Sequence, residues 1–381
     1  MGWFIVRIPI GEKMDDIIPV TKSDLPSIDE YVGYLKQIWK TRILTNYGEF
    51  GKDFEEKLAE YLDVRYAITV GNATLGLQVA LRALNIKSGS DIITTPFTFA
   101  ATTNVILYEG FKPVFADIKK DTYCIDPDNI ERKIGRNTSA IMPVHVYGNP
   151  CDVDRIQQIA DKNHLKVIYD AAHAFGVKYK GKSLASYGDI SVLSFHATKL
   201  FQTIEGGAVI TNDKDIADKI KLLRNHGIRS EEDVEVPGIN AKLNEFQAVM
   251  GLCNLVTIEE RIKEREKLYM RYKNNLSSED IEFQNIKADK YNYIYMPVVF
   301  QSKVIRDMVY NGLAKENIKC RKYFYPLTAS YSYFKMDMVK KYRLLNAQDI
   351  SDRVLCLPLY TDLGVKNVDM ISDKIKRIIK S

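Results

Sequence analysis

The chain has 381 residues, 27% of them charged, with 54 lysines and arginines against 49 acids and a net charge of +5. That length suits one large α/β unit and a smaller second one. An excess of charge this mild, spread along the chain, gives no reason to expect nucleic acid, and no apolar run approaches a membrane span, so neither is expected as a partner.

The five cysteines, at 124, 151, 253, 320 and 356, are widely spaced, with no CxxC pair among them. The five histidines form no metal-type cluster with them, so no metal site is expected and reduced thiols in a cytoplasmic protein are the simple reading. The opening Met1–Ile8 is too short an apolar run for a secretory signal and lacks a basic region before it. Val6 departs from the myristoylation pattern.

In chain order, residues 1–20 read as a loose N-terminal arm. Tyr31–Trp39 and Phe54–Leu62 carry helical patterns, and Tyr66–Val70 reads as a strand. Gly71-Asn72-Ala73-Thr74 is a turn, and Leu75–Leu84 an amphipathic helix after it. Free N–H groups and the macrodipole make such a helix start a site for an anion such as phosphate. The plainer alternative is an ordinary capped helix following a strand.

Leu165–Asp170 is a short apolar run ending in an acid, as buried parallel strands do. Ligands of open α/β sheets collect at the carboxyl ends of strands, which makes Asp170 a candidate functional carboxylate. It is equally placed to cap a helix opening at Ala171, and His173 could be an ordinary packed histidine. Then Ser191–Phe195 reads as a strand, Lys199 sits on an irregular turn, and Gly206-Gly207 leads into the apolar run 208–210. A lysine between apolar strands loses hydration, which lowers its pKa and frees the amine for covalent chemistry. Taken alone, a lysine at a strand end is more often a solvated charge.

From Tyr66 to Asn212 strands and helices alternate, the signature of a mostly parallel sheet covered on both faces. Arg229–Val236 with Pro237-Gly238 reads as an exposed loop, and Asn244 to Asn275 as one long helix. Tyr291–Phe300 reads as a strand, followed by a helix, another strand near Lys319 and a closing helix. The lysine-rich stretches Val339–Arg343 and Asp373–Arg377 suit solvated helix faces. The expected organisation is an arm over 1–20, a large α/β domain over 21–255 and a small α+β domain over 256–381.

An anion-binding helix start, an acid at a strand end and a lysine on a later strand, in that order, are what pyridoxal 5'-phosphate requires. Its pyridine nitrogen needs a carboxylate partner so that the protonated ring can act as an electron sink. With them stand Leu44–Gly48, Thr95–Ala100, Pro143–Pro150, Asp170–His173, Ser194–Lys199, Glu205–Gly207, Arg224–Gly227, Gly238–Asn240 with Glu245–Gln247, and Leu357–Tyr360. In these stretches, running in order along nearly the whole chain, the sequence resembles the DegT/DnrJ/EryC1/StrS family of pyridoxal-phosphate aminotransferases acting on nucleotide-linked keto sugars.

The resemblance implies an aspartate-aminotransferase-like fold (fold type I) and a role for each matching residue. Lys199 matches the lysine that bonds the cofactor and shuttles the proton, and Asp170 the partner of the pyridine nitrogen. Ala73, Thr74 and Ser194 match phosphate contacts, Phe99 the ring stacked on the cofactor, and His173 a neighbour of that ring. Asn240 matches an asparagine that reaches the phosphate of the other subunit's cofactor, which implies a homodimer. Many relatives have glycine where Ala73 stands; alanine restricts the backbone but keeps its N–H, so the phosphate site is expected to survive.

Lysine at 199, where a few relatives carry histidine and dehydrate the sugar, implies amination. The wording Ser194-Phe-His-Ala-Thr-Lys199 is similar to relatives acting at C4 of a 4-keto-6-deoxy hexose. It favours dTDP-4-keto-6-deoxyglucose as acceptor; the family resemblance implies glutamate as amino donor and a place in the synthesis of cell-surface polysaccharides such as O-antigen. UDP- and GDP-linked sugars and the C3 position remain open, as does a non-enzymatic regulator on the same fold. His226, Arg229 and Tyr323 are candidate substrate neighbours, or ordinary surface and packing residues.

Overall fold

The computed structural model describes residues 17–277 and 279–380. Of the arm expected over 1–20, residues 1–16 lie outside the described residues. Helices α1 (Ile28–Thr41) and α2 (Glu49–Leu62) come first, and α2 buries Phe54, Leu58 and Leu62 along one stripe. There follow β1 (Tyr66–Val70), α3 (Ala73–Ala83), β2 (Asp91–Thr94), α4 (Ala100–Tyr108), β3 (Lys112–Phe115), α5 (Pro127–Lys133), β4 (Thr138–Met142), α6 (Val153–Asn163) and β5 (Lys166–Asp170). A short hairpin, β6 (Lys178–Tyr179) and β7 (Lys182–Ser183), precedes β8 (Ile190–Ser194), β9 (Gly207–Thr211) and α7 (Lys214–Arg224).

One seven-stranded sheet holds this half together, in the order β1-β9-β8-β5-β4-β2-β3. Only β9 runs against the rest: it is antiparallel to both β1 and β8, and the other neighbours are parallel. Both faces are covered, and the two-residue period of a strand sorts the side chains. Val167 and Tyr169 of β5 enter one apolar cluster and Ile168 enters the other. Burial on both sides is why these strands read as continuous apolar runs. The carboxyl ends of β1, β2, β4, β5 and β8 all open on one edge.

Beyond α7, where the sequence suggests a loop, β10 (Ile228–Ser230) and β11 (Asp233–Val234) pair as an exposed hairpin. Helix α8 (Glu245–Leu276) then starts with a capping box: Asn244 accepts from Gln247 N at 3.0 Å, and Gln247 accepts from Asn244 N at 3.4 Å. It runs unbroken through residue 255. Its first turns pack on α1 and α2, and its far end packs against the antiparallel sheet of β12 (Ile281–Phe283), β13 (Met296–Phe300) and β14 (Val354–Leu357). Helices α9 (Lys303–Lys315), α10 (Met338–Tyr342), α11 (Leu345–Arg353) and α12 (Val365–Lys380) complete this part.

Local readings shift where polar side chains capture the backbone. Helix α3 starts at Ala73, two residues early, because Asn72 Oδ1 accepts from Leu75 N at 2.9 Å and caps it. No helix opens at Ala171; Asp170 Oδ1 instead accepts from Ala172 N at 3.1 Å and closes a turn. The strand expected over Tyr291–Phe300 is formed only from Met296. Buried Asn292 donates to the carbonyls of His173 and Phe175 at 2.8 and 3.0 Å, drawing that stretch away from the sheet. Near Lys319 there are only single bridges, Ile18 with Ile318 and Arg321 with Cys356.

Candidate active site

Parallel neighbours β5 and β8 end side by side and bring Asp170 and Ser194 to the same edge. Lys199 lies on the connection from β8 to β9. Phe195 N donates to Gly206 O at 2.9 Å, Thr203 N to Phe195 O at 2.9 Å, and Lys199 N to His196 O at 2.8 Å, so the loop closes on itself. The glycine pair that ends it is a packing requirement. A Cβ on Gly206 would stand 2.0 Å from Thr203 Oγ1, and one on Gly207 2.7 Å from Leu193 O and 3.0 Å from Ala73 N. Gly207 thus lets the start of α3 come down on the end of the lysine loop.

Lys199 is partly buried, and its Nζ is 3.3 Å from the hydroxyl of Tyr295. Loss of hydration lowers its pKa to about 8, against the opposing pull of the Asp170 carboxylate. Asp170 is buried; Oδ2 accepts from Thr102 Oγ1 at 2.7 Å, and Thr102 Oγ1 lies 2.9 Å from Thr98 Oγ1. Burial raises the Asp170 pKa, while the bonds from Thr102 and Ala172 and the charge on Lys199 hold it down. His173, also buried, accepts from Tyr147 N on Nδ1 at 3.2 Å, which assigns its proton to Nε2. Burial, seconded by the Lys199 charge, keeps that ring neutral. Its ring stacks near-parallel with Tyr147 and Phe324 and meets Tyr295 edge-on.

Two helix starts show where an anion would go. At α2, the Glu245 carboxylate already accepts from the N–H groups of Gly48, Phe50 and Gly51 at 3.1, 3.0 and 3.2 Å. The wide cleft over Arg42–Glu56 adjoins that end, so its anion position is taken by the chain itself. At α3, Asn72 serves only Leu75 N, and the N–H groups of Ala73 and Thr74 have no intrahelical acceptor. Thr74 is exposed and Ala73 partly so. Because residue 73 is the first residue of a right-handed helix, alanine fits it as well as glycine.

The remaining expected residues divide by location. Ser194 is buried at the end of β8, where its Oγ accepts from His196 N at 3.5 Å. Phe99 is 58% exposed, directly before α4, the helix that carries Thr102. Tyr323 packs on Tyr295, with ring centroids 5.4 Å apart, and so stands one ring away from Lys199. Asn240 and His226 are exposed, and the structure brings neither against Lys199. Arg229 is exposed on the β10–β11 hairpin and pairs there with Glu235.

Thr102, Tyr147 and Tyr295 belong to this site but escape the sequence reading. Thr102 does follow Phe99 by one helical turn, which places both toward one edge. Among the described residues there is no cluster of three metal-ligating side chains, and all five cysteines are free and buried. None of the described helices is long and apolar enough to cross a membrane. The donor set suits pyridoxal phosphate: a poised amine, a buried carboxylate held by hydrogen bonds, an open helix start and an exposed aromatic ring.

Comparison with known proteins agrees. The DegT/DnrJ/EryC1/StrS aminotransferase family matches residues 27–376. The dTDP-4-amino-4,6-dideoxy-D-glucose transaminase of Shigella dysenteriae is 40% identical over 371 residues, 96% of this chain and 100% of that protein. The GDP-perosamine synthase of Escherichia coli O157:H7 is 33% identical over 360 residues, covering 94% of this chain and 97% of that one. The crystal structure of DesI in the presence of its TDP-sugar product superposes with a TM-score of 0.88 at 31% identity, covering 96% of this chain and 94% of that one. The chain belongs to the DegT/DnrJ/EryC1/StrS aminotransferase family and is a pyridoxal-phosphate-dependent aminotransferase of nucleotide sugars.

Proposed function

We propose that this family member transfers an amino group from glutamate to C4 of dTDP-4-keto-6-deoxyglucose, giving dTDP-4-amino-4,6-dideoxyglucose for a cell-surface polysaccharide such as O-antigen. The observation that carries the chemistry is the Lys199 amine, its pKa lowered to about 8, in the field of the buried and hydrogen-bonded Asp170. The choice of sugar draws on the 40% identity to the Shigella dysenteriae transaminase and on the Ser194–Lys199 wording. Reduced, buried cysteines suit a cytoplasmic enzyme.

Bound pyridoxal phosphate supplies the electron sink that stabilises negative charge on the carbon exchanging its proton. In this reading Ala73, Thr74 and Ser194 hold its phosphate at the start of α3, and Asn240 of a second copy reaches the same phosphate, making a homodimer. Burial raises the Asp170 pKa while the bonds from Thr102 and Ala172 oppose that rise, and its carboxylate would keep the proton on the ring nitrogen. Phe99 would cover one face of the ring and His173 would lie beside it. Lys199 Nζ, neutral, would take the proton from the donor carbon in the first half-reaction; protonated in the second, it would deliver a proton to C4 and set the new stereocentre. On this reading Tyr323 would line the sugar, with His226 and Arg229 further out.

The test is purified protein given glutamate and a panel of dTDP-, UDP- and GDP-linked 4-keto sugars, with the amine position assigned by NMR. Nitrogen at C4 of the dTDP sugar is expected. Nitrogen at C3, or faster turnover of another nucleotide, would overturn the substrate; transfer to none of them would overturn the reaction.

A further inference from the structure

The lysine loop is clasped from outside by the first described stretch of the chain. Ile18 N donates to Asn317 O at 3.0 Å, and Ile18 O accepts from Lys319 N at 2.8 Å. Val20 O accepts from Leu359 N at 3.1 Å, and Lys22 Nζ pairs with Asp362 at 2.5 Å. Then the chain turns onto the loop. Ser23 Oγ donates to Ala197 O at 2.6 Å, and Asp24 O accepts from Gln202 Nε2 at 2.9 Å. Residues 18–24 therefore strap the small antiparallel sheet and its neighbours to both arms of the loop that carries Lys199.

The Asp24 side chain extends this tie to the opposite wall. Its Oδ2 lies 3.5 Å from Nη2 of Arg265, a side chain only 2% exposed. Arg265 Nη1 donates to Leu359 O at 3.1 Å and to Ile294 O at 3.4 Å. The residue after Ile294 is Tyr295, whose hydroxyl meets Lys199 Nζ. One ion pair thus connects the loop behind the amine with the ring in front of it. A buried pair of this kind contributes little net stability and could be replaced by apolar side chains without loss. Asp24 Oδ2 and Arg265 Nε even lack hydrogen-bond partners. What the pair does supply is geometry.

We propose that Ser23 and Asp24 are positioning residues for Lys199: the strap holds the amine against Tyr295 and keeps water off it. The inference rests on Lys199 being the reacting amine. The charged or titratable groups facing that amine are Asp170 from β5, His173 from the turn after it and Tyr295 from the stretch before β13. When the strap loosens, hydration returns to Nζ, its pKa climbs back toward the ordinary value, and the near-attack geometry is lost.

The experiment uses the full chain and the variants Asp24→Asn, Asp24→Glu and Ser23→Ala. Ser23 is exposed, so its variant removes a single surface hydrogen bond and keeps the test sound should Asp24→Asn fold poorly. Asp24→Asn is expected to lower kcat about tenfold, as a sub-ångström misplacement would, with KM for the nucleotide sugar within about twofold. Ser23→Ala is expected to lose less and Asp24→Glu to recover part of the loss. The second readout needs no turnover: pyridoxal phosphate is trapped on Lys199 with cyanoborohydride across a pH series and scored by peptide mass. The half-maximal pH, expected near 8 in the native chain, should move upward in both Asp24→Asn and Ser23→Ala. Unchanged kcat and unchanged half-maximal pH in both, even beside a lowered melting temperature, would overturn the strap. A native enzyme that aminates no sugar would overturn the proposed reaction instead, and the trapping series would still decide the strap.

Discussion

The lysine loop between β8 and β9 and the segment from Asn225 to Asn240 are built in opposite ways. The loop turns three of its polar side chains inward, Lys199 toward Tyr295, Gln202 toward Asp24 and Thr203 onto its own backbone, and leaves His196 and Glu205 paired at the surface. The second segment is closed mainly through its backbone, with Asn225 Oδ1 accepting from Lys242 Nζ at 2.8 Å and Arg229 paired with Glu235 on the hairpin. His226 N donates to Ile239 O at 3.0 Å and Glu235 N to Gly227 O at 2.9 Å. Gly227, at φ +77°, lies so close to Val236 that a Cβ there would stand 1.6 Å from its carbonyl. The side chains of His226, Arg229 and Asn240 are left outside. The loop is completed by the chain itself, whereas the second segment offers His226, Arg229 and Asn240 outward, as the proposed site shared between two subunits would require.

The largest effect should come from the closed half. Lys199→Ala removes the protein's own reacting amine, and kcat is expected to fall by about a thousandfold or more, the upper range for a positioned acid–base group. The long-wavelength absorbance of lysine-bound cofactor should vanish with it; turnover surviving in that variant would sink the mechanism. In the native chain, trapping on Lys199 should quicken as pH rises, because only the neutral amine reacts. The midpoint should lie near 8 rather than at the ordinary 10.5. A midpoint near 10.5 would mean that the amine is hydrated and the loop open.

Next is the support beneath Asp170. Thr102→Val keeps the shape and removes the 2.7 Å hydrogen bond to a buried carboxylate. Such a bond contributes about 1.5–3 kcal/mol, so kcat should drop by roughly tenfold to a hundredfold. Asp170 would take up its proton more readily, and the acid limb of the pH–rate profile should shift to higher pH. Thr102→Ser should restore most of both. A loss of stability alone, with the acid limb unmoved, would reduce Thr102 to a packing residue.

Asn240→Ala tests the outward half. On the shared-site reading it weakens cofactor binding about tenfold, leaves Lys199 chemistry intact, and is complemented by mixing. A heterodimer of Asn240→Ala and Lys199→Ala chains carries one intact site and should recover roughly half of the native activity per dimer. At a cofactor concentration too low to saturate Asn240→Ala chains, mixed chains no more active than those chains alone would mean that the site does not cross subunits.

How far the sequence could be read follows the same division between local and distant. β5 was visible because burial on both faces makes an apolar run, and Asp170 because that run ends in an acid. Helix α8 was visible as a helical pattern from Asn244 to Asn275, and the cap that starts it spans only the three residues from Asn244 to Gln247. Thr102 was hidden because its partner lies 68 residues away, and no periodicity encodes such a meeting. Tyr295 was absorbed into an apparent strand, since Tyr291–Tyr295 is aromatic enough to be one; Asn292 diverts it through bonds to carbonyls more than a hundred residues earlier. The strap of residues 18–24 has no pattern at all, because its bonds are mostly backbone. His226 and Arg229 were offered as candidate substrate neighbours or ordinary surface residues, and in this chain both are exposed.

The smallest effect should be at Arg229. Its guanidinium is paired with Glu235 on its own hairpin and lies near Asp233 at 4.0 Å, with both partners exposed. Exposed pairs of this kind contribute about 0–1 kcal/mol, so Arg229→Ala should leave the melting temperature nearly unchanged. If the hairpin remains a surface feature in the assembled enzyme, KM for the nucleotide sugar should change by less than about twofold. A phosphate contact made in the dimer would instead exchange Glu235 for the diphosphate, and removing it would raise KM by about tenfold or more with kcat kept. The size of that one KM change therefore decides whether the outward half reaches the substrate or stops at the cofactor's phosphate.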